Sequence, residues 1–98
     1  MRILTRGRLV AFWTTHKDSE QQLKAWHTEV ERAEWKGPED IKKRFRSADF
    51  LAHARVVFNI KGNTYRLVVH VKYAPLCLVY IRFVGTHAEY DKIDATTV

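Results

Sequence analysis

Val56-Val57-Phe58-Asn59-Ile60 and Tyr65-Arg66-Leu67-Val68-Val69-His70-Val71 are two β-type runs joined by Lys61-Gly62-Asn63-Thr64, and this stretch decides the fold. A glycine-asparagine link between two alternating runs marks a β-hairpin. Side chains alternate across a strand, so Val56, Phe58 and Ile60 share one face, and Arg55, Val57, Asn59 and Lys61 share the other. On the second strand Tyr65, Leu67, Val69 and Val71 form the apolar face, opposite Thr64, Arg66, Val68, His70 and Lys72. A sheet with this pattern buries one face and presents a basic one.

Downstream, Ala74-Pro75 makes a tight turn, and Leu76 to Val84 is a third β-type run, which extends the hairpin into an antiparallel meander. Unbroken alternation places Cys77, Val79, Ile81 and Phe83 on the apolar face, and Tyr80 and Arg82 with Arg66 and His70. Gly85 is expected to end the strand. Thr86-His87-Ala88-Glu89 has capping-box spacing, so a short helix follows with His87 and Tyr90 on one side. The tail Ile93 to Val98 is expected to be loose.

Upstream, Arg2-Ile3-Leu4 is a short strand, and Thr5 is placed to cap a helix carrying Leu9, Phe12 and Trp13. Asp18 and Gln21 mark a second helix, on which Leu23, Trp26, Val30 and Ala33 trace one face. Gly37-Pro38 ends it, a short helical turn covers Glu39 to Phe45, and Arg46 to Leu51 links to the hairpin. The expected class is α+β: a small antiparallel sheet in the order β-α-α-β-β-β with a short C-terminal helix, covered on one face by two helices. Residues 1–98 read as one domain, with Trp13, Trp26 and Trp35 in its core.

Seventeen Lys and Arg against eleven Asp and Glu give a net charge of +6. That surplus favours a polyanion as partner, nucleic acid above all, although an acidic protein segment would feel the same field. The lone Cys77 excludes an intrachain disulfide or a cysteine metal cluster. With no membrane-length apolar run or secretory segment, the expected location is the cytoplasm and no membrane partner is expected.

Phe58-Asn59-Ile60-Lys61-Gly62-Asn63-Thr64-Tyr65-Arg66-Leu67, followed by Tyr80-Ile81-Arg82-Phe83-Val84-Gly85-Thr86-His87-Ala88-Glu89-Tyr90-Asp91, resembles the signature of the HigB toxins, within the RelE/ParE toxin superfamily. The similarity extends over nearly the whole chain, including Ser47 to Leu51. It implies a RelE-like fold and a bacterial, ribosome-dependent endoribonuclease that cuts translated mRNA. It also implies a HigA-type antitoxin with a helix-turn-helix domain, through which alone the toxin would meet operator DNA. Two modes of inhibition are open: an acidic segment laid into the Arg66/Arg82 groove, or a helical partner on the Lys- and Glu-edged helical cover that blocks ribosome entry. The helical cover is the face favoured.

RNA can be cleaved without metal or other cofactor when its own 2′-hydroxyl attacks the neighbouring phosphate, and no carboxylate cluster of two-metal spacing is present. Arg66 and Arg82 suit the phosphate because guanidinium offers paired, permanent donors. His87 is suited to proton transfer and Tyr90 to stacking on a base or orienting the hydroxyl. Lys61, Arg55, Asn59, His70 and Lys72 complete the substrate-binding set on the basic face. Sheet arginines are more often simply solvated, and Tyr90 serves equally well as an anchor for the last helix. Both motifs in order and register favour function. The rival reading is a non-catalytic superfamily member that binds a protein or RNA through the basic face.

Overall fold

In the computed structural model, which describes residues 1–98, strand β4 (Tyr65–Lys72) is the centre of a five-stranded sheet ordered β1-β5-β4-β3-β2. Strands β3 (Arg55–Ile60) and β5 (Leu78–Thr86) flank it in antiparallel register, and β2 (Asp49–Leu51) and β1 (Arg2–Leu4) form the edges. The α+β class is as expected, but the sheet is mixed. Strand β1 runs parallel to β5, an arrangement that needs a long crossover rather than a hairpin, and the helices supply it. Between them lie α1 (Gly7–Thr15), a 3-10 turn at Lys17–Ser19, α2 (Glu20–Arg32) and α3 (Pro38–Arg44), with Pro38 in its first turn.

Leu9, Phe12 and Trp13 of α1, Leu23, Trp26 and Val30 of α2, and Ile41 of α3 close over Val56, Phe58, Leu67, Val69, Val79 and Ile81. Phe58 is the hub. Trp26 meets its ring edge-on at 5.4 Å, Phe45 at 5.0 Å, and Trp35 stacks on it at 6.3 Å. All three tryptophans are core residues.

Two expected caps are absent. Thr5 sits in the left-handed region and donates its hydroxyl to the Ile81 carbonyl at 2.9 Å, so it ties α1 to β5 instead of capping. Asp18 lies in the 3-10 turn, where it accepts from Lys61 Nζ at 2.8 Å and from the Tyr65 hydroxyl at 2.6 Å. Its carboxylate therefore pins the hairpin end to the helices. In the hairpin turn positive φ falls on Lys61 and Gly62 rather than on Asn63.

The third strand departs most from expectation. A bulge leaves Arg82 without a partner: Val69 pairs with Ile81, but Val68 pairs with Phe83. The extra residue reverses the alternation, so Val84 joins the helix-side core and Phe83 faces the other way, against Val57, Val68 and Ala95. Gly85 does not end the strand but pairs with Arg66 inside it. Nor is the second face open or the tail loose. Ile93 to Val98 folds over it, Ala95 is only 7% exposed, and Leu51, Tyr90, Ile93 and Val98 pack around the small cluster. Apolar Val57, Val68 and Phe83 are what the tail covers.

Four carboxyl groups sit below their ordinary range. Asp18 is held there first by the Lys61 hydrogen bond, Glu29 by Arg44, Glu89 by the Thr86 backbone N–H, and Asp94 by the Thr96 hydroxyl. A lowered native pKa contributes stability that is complete above the unfolded value and is lost as pH falls through the native one. Melting temperature is therefore expected to drop as pH is lowered through about 4, where free carboxylates protonate. Asp18→Asn should melt lower near neutrality and show a shallower acid decline, measured by circular dichroism.

Candidate functional site

At the hairpin end of the sheet, Arg66 on β4 stands opposite Gly85 on β5 and Asn59 on β3. The short helix α4 (His87–Tyr90) starts directly after β5 and is closed by the expected capping box: Thr86 Oγ1 accepts from the Glu89 N–H, and Glu89 accepts from the Thr86 N–H at 2.8 Å. The His87 N–H adds a bond to the Thr64 carbonyl, which seats the helix on the hairpin turn. Tyr90 is thereby placed beneath Arg66, whose guanidinium carbon lies 5.4 Å from its ring centre, and the Phe83 ring is tilted against it at 6.4 Å. This is cation-π geometry, and Arg66 Nε is buried without a hydrogen-bond partner.

Gly85 makes the arrangement sterically feasible. A Cβ there would come within 2.5 Å of the Phe83 ring and 3.1 Å of Glu89 Oε1. Asp91 places Oδ2 3.3 Å from His87 Nδ1. The carboxylate can fix the ring so that Nε2 is the nitrogen left for chemistry. The signal for it was the i,i+4 spacing of His87 and Asp91.

The second basic group lies further along the sheet. Arg55, His70 and Tyr80 are successive register partners across β3, β4 and β5, and the His70 and Tyr80 rings lie 5.9 Å apart. Burial, and then the charges of Arg55, Lys72 and Arg82, push the His70 imidazole below its ordinary pKa, so it is neutral at physiological pH. Arg82, at the bulge, donates from Nε to the Val98 oxygen at 3.0 Å, and Arg55 Nη2 donates to the same oxygen at 2.6 Å. The Arg82 carbonyl accepts from Arg8 of α1 at 2.8 Å.

Arg66, Tyr90 and His87 are thus gathered at one end, and Arg55, His70, Lys72 and Arg82 along the row beside it. Lys61 is not with them, because its ammonium is drawn to Asp18 on the helical side. Asn59 uses its amide N–H on the Ser47 carbonyl at 3.2 Å. Sequence reasoning missed the pairing of Asp91 with His87 and the tail, whereas Tyr80 does lie beside His70 as its position on the basic face implied.

A small mixed sheet covered by helices on one face and carrying arginines, a histidine and a tyrosine on the other is the plan of the RelE-like toxins. A sequence model of the HigB_toxin family, described as the RelE-like toxic component of a toxin-antitoxin system, matches residues 19–93, and the chain belongs to that family. The match takes in the hairpin, the bulged strand and α4. A search of curated proteins gives no match. The family carries with it an antitoxin partner, and no helix is long and apolar enough to cross a membrane.

Proposed function

We propose that this toxin is a ribosome-dependent, metal-independent endoribonuclease that cuts mRNA during translation in the bacterial cytoplasm and is neutralised by a HigA-type helix-turn-helix antitoxin. The observation that carries the reading is the Arg66–Tyr90 stack set beside a His87–Asp91 pair on a capped helix. In this reading Tyr90 supports a splayed base, and Arg66 stabilises the charge that develops on the phosphate. His87 Nε2 takes the 2′-hydroxyl proton as O2′ attacks phosphorus. The P–O5′ bond breaks to leave a 2′,3′-cyclic phosphate and a 5′-hydroxyl, whose proton comes from water. Arg82 adds field from the neighbouring group.

Primer extension on cellular mRNA after induction tests the proposal. Cuts confined to translated frames support it, and an unaltered mRNA population during growth arrest points to the binding-only alternative. In the same assay His87→Gln is expected to lower cleavage by about a hundredfold, the scale of a lost acid-base group. Ribosome co-sedimentation of that variant should be unchanged, because docking on rRNA is spread over many Lys and Arg.

A further inference from the structure

One oxygen, that of Val98, collects hydrogen bonds from two guanidinium groups, Arg55 at 2.6 Å and Arg82 at 3.0 Å. Two such cations repel one another unless a negative acceptor lies between them, so this is where a phosphate oxygen is best held. The pair is pre-set. Arg55 Nη1 is tied to the His53 carbonyl at 2.9 Å, and the Arg82 backbone is tied to Arg8 at 2.8 Å. Arg55 Nε remains buried without a partner. Between the two arginines, His70 and Tyr80 complete the row on the same face, and the neutral imidazole is suited to a ribose hydroxyl. The segment above is held on an apolar patch by Ala95, Ile93 and Val98, and by Asp94, which accepts from the Thr96 N–H at 3.0 Å.

We propose that Arg55, His70, Tyr80 and Arg82 form a phosphodiester subsite beside the Arg66–Tyr90 cluster, and that Ile93–Val98 occupies it as an intramolecular stand-in which RNA displaces. The inference rests on the reading of the protein as an RNA-cutting toxin and adds a regulatory element to it. The tail is a tethered competitor, so the free enzyme binds RNA more weakly than its arginines allow.

The test is fluorescence anisotropy with a single-stranded RNA blocked by 2′-O-methyl groups, titrated at several salt concentrations. A chain ending at Lys92, which lacks the whole segment and its shared oxygen, is expected to bind roughly tenfold tighter than the parent. Ala95→Gln, which is too large and polar for the apolar patch and lifts the segment without adding an anion, should do the same. Arg55→Gln in the shortened chain should erase the gain and reduce the salt slope by about 0.7, the contribution of one phosphate contact to a single strand. Equal affinity of the parent and both tail variants overturns the proposal, as does a gain that survives Arg55→Gln. Should either tail variant melt early, Arg55→Gln in the parent still decides, since an unchanged salt slope there rules the subsite out. A shortened chain that gains affinity for a polyglutamate peptide and not for RNA identifies a protein-binding site and overturns the RNA assignment. Because the probe cannot be cut, the outcomes separate: tail-dependent binding without mRNA cleavage in cells removes only the nuclease reading, and cleavage without tail-dependent binding removes only the subsite.

Discussion

Arg66→Ala is expected to lower mRNA cleavage by about a hundredfold, or about 3 kcal/mol of transition-state stabilisation, while the protein stays folded. The residue is only half-buried and makes no salt bridge, so the core loses little when it is truncated. What disappears is a permanent charge fixed over Tyr90, 5.4 Å from its ring centre. Lysine is a poor replacement, since a point charge cannot reproduce paired donors and a planar stack. Growth arrest after induction, read beside a thermal melt of the purified variant, checks the expectation. A folded Arg66→Ala protein that arrests growth as fast as the parent would show that the phosphate is held elsewhere, with Arg55 and Arg82 the next candidates.

The largest stability effect is expected at Phe58→Ala. The ring is the shared partner of Trp26, Trp35 and Phe45, and it is 2% exposed. Truncation removes the apolar burial and leaves a cavity between rigid aromatic walls that cannot close, a combination that typically costs about 3 to 5 kcal/mol. A domain of this size is stable by only about 5 to 15 kcal/mol, so much of the native population margin would go. Urea unfolding should show a lower midpoint with an unchanged slope. A loss below about 1 kcal/mol would mean that Trp26, Trp35 and Phe45 close over the truncated side chain.

The hairpin, its register and its buried face were legible because period-two alternation and a glycine turn are local signals carried by the residues that obey them. The capping box at Thr86 and Glu89 was legible for the same reason. The parallel pairing of β1 was not, since Arg2-Ile3-Leu4 looks alike whichever neighbour it joins. Asp18 carried a correct cap signature but found stronger partners in Lys61 and Tyr65, which only the folded chain brings near. Val79-Tyr80-Ile81-Arg82-Phe83-Val84 shows no glycine or proline to announce a bulge, so its second half was assigned to the wrong faces. Once Phe83 was misplaced, the apolar patch on the basic side was invisible. Ile93, Ala95 and Val98 then had nothing to pack on, and the tail seemed free. The site residues on β4 and α4 escaped this error because they lie on an unbroken strand and beyond a cap.

The extra residue at Arg82 also fixes the parity of the strand. From Phe83 onward, membership of the core or of the charged face depends on whether Arg82 stands outside the ladder or is counted within it. Drawing Arg82 into a regular ladder would leave every side chain chemically intact and yet exchange Phe83 with Val84 between the two surfaces, placing a bulky ring among the helices and stripping the tail of its support. Deletion of Arg82 preserves the assignment, because Ile81 and Phe83 already face the adjacent Val69 and Val68, whereas flattening the bulge with Arg82 in place inverts it. The two faces of this strand therefore depend on the bulge staying bulged, a restriction on the backbone that no individual amino acid reveals.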